Sequence, residues 1–160
     1  MKKVIVLLMV CILPALAWAH CQMPCGIYDD TARIMAISEN ITTIEKAMNQ
    51  ISTLSNKDDA QSLNQIIRWV DTKDTHAQKI QDIVSNYFLT QRIIAKQAKD
   101  KDYSKYVSQT IILQQILVSA MKCKQTIDLD HATTTRLLLD KFVDLYFDDH
   151  GKKHLKELEG

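Results

Sequence analysis

From Asp29 to Asp149 the chain contains neither proline nor glycine. Those two residues break helices and supply most tight turns, so their absence over so long a stretch predicts an all-helical domain. The apolar spacing agrees. Ile34, Ile37, Ile41, Ile44, Met48 and Ile51 recur at steps of three and four, the period of one helix face. A polar break at 55–59 follows, with Asp58 or Asp59 placed to cap the next helix. On that second helix Leu63, Ile66, Val70, Ala77, Ile80, Val84 and Tyr87 form a face interrupted at Lys73 or Asp74. The charged run 96–102 is a connection. A third helix, about Tyr103 to Lys122, is apolar on more than one side, as expected of a deeply buried helix or one at a subunit contact. Asp128 or Asp130 starts a fourth, with Leu138, Phe142 and Leu145 on one face, Leu139, Val143 and Tyr146 beside them, and Gly151 placed to stop it. Four amphipathic helices with short connections predict an antiparallel four-helix bundle.

The N-terminus has a different grammar. Lys2 and Lys3 precede an apolar run over 4–13, then Pro14, then Ala17-Trp18-Ala19 with small residues at the −3 and −1 positions of a cut. That is the order of a secretory signal peptide, and the run is short for a membrane span. A retained anchor is the bland alternative. A lipoprotein cut before Cys21 fits less well, because Trp18 and His20 stand where small or aliphatic residues would be needed. Cleavage after Ala19 divides the chain into a signal at 1–19, a short segment at 20–28 and a bundle with a short C-terminal tail at 29–160. The formal charge then passes from +1 to about −1, since the signal carries two lysines and no acid. There is no basic stripe for nucleic acid and no second long apolar stretch, so the expected product is exported, periplasmic or extracellular, without stable membrane association after processing.

The cut makes His20 the new N-terminus, one residue before Cys21 and five before Cys25. Pro24 and Gly26 keep the segment out of helix and let it curl. The free amine of His20 and the amide nitrogen of Cys21 close a five-membered chelate ring on a metal. That amide nitrogen and the Cys21 sulfur close a second, and Cys25 brings a fourth donor across the loop. The His20 imidazole can stand above or below the plane. Two nitrogens and two thiolates suit a square-planar ion such as Ni(II) or Cu(II), whereas Zn(II) prefers a tetrahedron. Thiolates and an amide anion favour a higher oxidation state, which points to one-electron redox at nickel rather than Lewis-acid hydrolysis. The blander reading of Cys21 and Cys25 is a small disulfide loop, as expected of exported cysteines.

The run His20-Cys21-Gln22-Met23-Pro24-Cys25-Gly26-Ile27-Tyr28 resembles the nickel hook of nickel superoxide dismutase, H-C-x-x-P-C-G-x-Y. The stretches "RWVDTKDTHAQKIQDIVSNYFLTQRI" and "AMKCKQTIDLDH" are similar to the bundle of its signal-peptide-bearing branch. The resemblance implies a homohexamer of four-helix bundles that dismutes superoxide to oxygen and hydrogen peroxide while nickel cycles between Ni(II) and Ni(III). It implies ligation by the His20 amine and imidazole, the Cys21 amide and sulfur, and the Cys25 sulfur. Tyr28 would line the approach to the open metal face, with Tyr87 as a second tyrosine there. A signal peptidase and a nickel delivery system are implied as partners. One departure stands out: where the family places a glutamate that orients the imidazole with an arginine, this chain has Met35, leaving Glu39 or Arg68 as substitutes.

Other residues take blander readings. Cys123 is expected to be a buried, inert thiol. His76 and His131 read as helix-surface or cap residues. His150 and His154 are four apart, so a metal pair is conceivable, but they sit in a lysine-rich tail. No Gly-rich phosphate loop, H-E-x-x-H or G-x-S-x-G is present. The rival to an enzyme is an exported protein that captures nickel or copper through the same ligands without turnover.

Overall fold

A computed structural model describes residues 29–159. The described residues form five α-helices: α1 (Asp30–Leu54), α2 (Ala60–Asp82), α3 (Tyr103–Gln125), α4 (Leu129–Tyr146) and α5 (Asp149–Glu159). Between α2 and α3 the helix continues as a π-helical segment, Ile83–Arg92. None of these helices is long and apolar enough to cross a membrane.

Aspartates start three of the helices. Asp29 caps α1 by accepting from the Thr31 amide at 2.8 Å, Asp59 caps α2 through the Ser62 amide at 2.9 Å, and Asp128 caps α4 through the Asp130 amide at 3.0 Å. Of the two candidates offered by the sequence at each of the last two starts, Asp59 and Asp128 are the caps. The whole isoleucine stripe of α1 is buried, together with Ala77, Ile80, Val84 and Tyr87 of the second helix and Leu113 and Ile116 of α3. At the end of the bundle nearest Asp30 the core is aromatic. Phe88 meets Phe142 at 5.0 Å and Tyr146 at 5.7 Å, both edge to face. Burying a phenylalanine contributes about 1.5–3 kcal/mol, so Phe88 and Phe142 are major anchors there.

Buried polar groups set the register. His76 Nδ1 and Asn40 Oδ1 lie 2.6 Å apart, pinning α2 against α1. Ser119 and Thr135 share a buried hydrogen bond of 2.7 Å between α3 and α4. Lys73, the charge that interrupts the α2 face, is 2 % exposed. Its ammonium donates to the carbonyls of Cys123 and Lys124 at 2.7 Å each and to Asp74 at 2.8 Å. It thereby satisfies carbonyls in the last turn of α3 that have no partner within the helix.

Four expectations change. Leu63 and Val70 do not face the core; they are 60 % and 39 % exposed, because α3 stops beside Lys73 and leaves the earlier turns of α2 uncovered on that side. Of the two readings of α3, the deeply buried one gives way, since Ile111 and Met121 are exposed, and the subunit-contact one is untouched. Gly151 does not stop α4. That helix ends when Phe147 turns extended, and Gly151 lies inside α5, its amide donating to Asp148 at 2.8 Å. The C-terminal tail is therefore a fifth helix, held by Leu155, which is 7 % exposed.

Candidate metal centre

His20, Cys21, Cys25 and Tyr28 lie outside the described residues. The structure does place the point where that segment joins the bundle, the first turn of α1. Asp30, two residues after Tyr28, sits at the centre of a cluster drawn from three elements. Its Oδ2 accepts from Arg92 Nη2 at 2.6 Å and from Tyr146 Oη at 2.8 Å, and its Oδ1 accepts from Tyr87 Oη. Arg33 and Arg92 also stack over the Tyr87 ring, 5.7 and 5.8 Å from its centroid.

The π-helical segment explains how Tyr87 and Arg92 reach one carboxylate. They are five residues apart, and a π-helix repeats its hydrogen bonds at i→i+5. The Ile93 amide accordingly donates to the Phe88 carbonyl at 2.9 Å, and the Thr90 hydroxyl donates to the Ser85 carbonyl at 2.7 Å. Residues five apart thus lie near one another along this stretch, whereas an α-helix would splay them.

The electrostatics follow from this wiring. Burial by itself would raise the Asp30 carboxyl, but the hydrogen bonds from Arg92, Tyr87 and Tyr146 outweigh it and hold the group below the usual carboxylate range. Burial and the Asp30 charge raise both phenols, Tyr146 to about 12 and Tyr87 higher still. Both tyrosines are therefore neutral donors at physiological pH, and neither serves as a base. Arg92 is held charged by Asp30. Beside the cluster opens a cleft lined by Asp30, Arg92, Lys96, Lys105, Tyr106 and Tyr146, among others.

Of the residues singled out in the sequence, Tyr87 stands at this end of the bundle, 7 % exposed. Glu39 does not: it is exposed nine residues along α1, roughly 13 Å from Asp30 at the helical rise. Arg68 is exposed on α2, well before the Asn40–His76 contact and further still from this end. Cys123 is fully buried and its thiol is pushed up by burial, the inert thiol expected. His154 points to Asp29, 3.5 Å from Nε2 to Oδ2. The sequence did not single out Asp30, Arg92 or Tyr146 for the site. A search for periods of 3.6 passes over a pair at i, i+5.

A metal fits the donors before Tyr28. The residue types of that segment, two cysteines and a histidine among backbone nitrogens, are donors that suit a square-planar d⁸ ion. Among the described residues no group of three or more His, Cys, Asp or Glu side chains is arranged to hold a metal ion. The sequence model of nickel-containing superoxide dismutases matches residues 15–150, a span that contains the hook motif, Tyr87 and the whole Asp30 cluster. No curated protein and no solved structure matches the chain. A family match over most of the chain, on an all-helical bundle, leads to one assignment: the chain belongs to the nickel-containing superoxide dismutase family, with nickel as its cofactor and superoxide dismutation as its activity.

Proposed function

We propose that the enzyme is completed by a cut after Ala19, and that the exposed His20 supplies its α-amine and imidazole to nickel alongside the Cys21 amide nitrogen, the Cys21 sulfur and the Cys25 sulfur. The observation that carries this reading is positional. The His-Cys pair stands directly after the Ala17-Trp18-Ala19 cut site, where hydrolysis turns a peptide nitrogen into a free amine donor. On this reading residues 1–19 are an export signal, the processed enzyme works in the periplasm or outside the cell, and a signal peptidase and a source of nickel are required.

When bound, nickel supplies a Ni(II)/Ni(III) couple that carries one electron at a time. Two superoxide anions and two protons become one oxygen and one hydrogen peroxide. The chain's own residues shape access. Tyr28 would line the approach to the metal and help control access of a small anion. Tyr87 is the second tyrosine on that approach. Its Oη donates to Asp30 and its buried ring lies under Arg33 and Arg92, so the side chain is held in one position. The neighbouring cleft sets Arg92, Lys96 and Lys105 against Asp30, Asp102 and Asp148, so its formal charges balance.

The processed enzyme assembles as a homohexamer. Leu63, Ile67 and Val70 on α2, at 60 %, 61 % and 39 % exposure, form an apolar stripe of the kind that subunits cover. The test of the whole reading is mass spectrometry of the mature N-terminus, metal content and superoxide decay on one preparation. The expected result is a chain beginning at His20 with one nickel per chain. A single extra residue before His20 is expected to abolish activity, because it removes the amine ligand. Full activity with that extension overturns the proposal.

A further inference from the structure

The matched span ends at residue 150, whereas α5 runs from Asp149 to Glu159. This last helix is attached at three points. Leu155 is 7 % exposed and joins the core cluster that contains Ile34 and Leu139. Lys152 pairs with Asp144 of α4 at 3.1 Å. His154 Nε2 lies 3.5 Å from Asp29 Oδ2. The return of the chain that makes this possible depends on Gly151, where a Cβ would stand 2.5 Å from Phe147 Cδ1.

Asp29 is the residue immediately after Tyr28, and its carboxylate is divided. Oδ1 caps α1 through the Thr31 amide at 2.8 Å, and Oδ2 faces His154. A cap held only by its own helix can swing with the first turn as that turn frays. A cap also held by a second helix fixes the direction in which the preceding chain leaves. We propose that α5 is a clamp on the root of the hook, with His154 as a positioning residue that acts through Asp29 on the segment carrying Cys25 and Tyr28. The proposal rests on the reading that residues 20–28 hold nickel, but its first readout does not.

That readout is amide hydrogen exchange on the processed, metal-free protein as wild type, His154→Ala and His154→Gln, with far-UV circular dichroism to show that all three are folded. His154→Ala is expected to speed exchange in the first turn of α1, at Thr31 to Ile34, by about two- to fivefold, with α2, α3 and α4 unchanged. His154→Gln keeps a donor facing Asp29 and is expected to restore most of the protection. Gly151→Ala, whose Cβ would run into the Phe147 ring and push it and the start of α5 apart, is expected to reproduce the His154→Ala pattern. Exchange in that turn equal to wild type in both the His154→Ala and Gly151→Ala proteins overturns the clamp. So does a uniform rise across the bundle. The second readout is nickel release to a chelator, expected to be several-fold faster for His154→Ala than for wild type or His154→Gln. Equal release rates overturn the action on the hook. A wild-type protein that takes up no nickel while the exchange pattern holds refutes the metal reading and leaves the clamp standing.

Discussion

Asp30 receives a guanidinium and two phenols on two oxygens, and replacing it by asparagine would leave that donor set facing an amide that is itself half donor. The expected cost is about 1–3 kcal/mol, because Arg92 loses its counter-charge and one phenol loses its acceptor inside a partly buried cluster. The urea midpoint of Asp30→Asn against wild type measures it. The same carboxylate sets a pH dependence of known sign. Its pKa is lower folded than unfolded, so its contribution is fully present above the ordinary value of 3.8 and is lost as the pH falls through the lowered folded-state value. The tyrosines act in the opposite direction. Tyr146 is raised to about 12, so the stability of its neutral form is present below the ordinary 10.0 and is lost as the pH rises through the folded value. Ultraviolet titration is expected to show Tyr87 and Tyr146 still un-ionised when exposed phenols have turned over. In Asp30→Asn both should titrate earlier, since the raising charge is gone. Simultaneous titration of all tyrosines near 10 in the wild type would contradict the wiring described.

Helix α2 shows at the scale of an element what periodicity conveys and where it stops. Ala77, Ile80, Val84 and Tyr87 were legible as a core face because α1 and α3 both cover that half of the helix. Leu63 and Val70 carry the same spacing but stand exposed, since the pattern records which residues share a face and not how far the neighbouring helices extend. Lys73 was legible only as an interruption. Besides the adjacent Asp74, its partners are the carbonyls of Cys123 and Lys124, about fifty residues away, and nothing local announces those two. Replacing Lys73 by methionine keeps most of the buried volume but leaves those carbonyls unpaired, at an expected cost of about 1–3 kcal/mol. Lys73→Ala adds a cavity and is expected to cost more, about 2–5 kcal/mol in total. Thermal denaturation of the two variants separates the polar part from the packing part, and equal melting points would mean that the carbonyls find water. The hook is proposed from sequence on another ground. Metal chemistry lies in residue types at fixed covalent spacing, whereas the supporting cluster lies in contacts between Asp30, the π-helical segment and α4 that only folding brings together.

Across the whole molecule the helices end at different levels. Lys73 bonds to the last turn of α3, so residues 60–72 of α2 and the end of α1 project beyond the point where α3 stops. The side chains that this exposes are not those of a solvated arm, for Leu63 and Ile67 are 60 % and 61 % exposed one turn apart. Exposed leucine and isoleucine at i, i+4 with Val70 at i+7 gain nothing from water, and covering them with another subunit recovers roughly 25 cal/mol per Å². Ile67→Asp puts a charge at the middle of that stripe while leaving the monomer's core untouched. The processed variant is expected to keep its far-UV circular dichroism and to sediment as a smaller species than wild type. A monomeric wild type would remove the assembly from the reading. A variant that sediments with the wild type would show that this stripe is not where the subunits meet, and would turn attention to Ile111, Val118 and Met121 on α3, which are spaced along one face of that helix and also exposed.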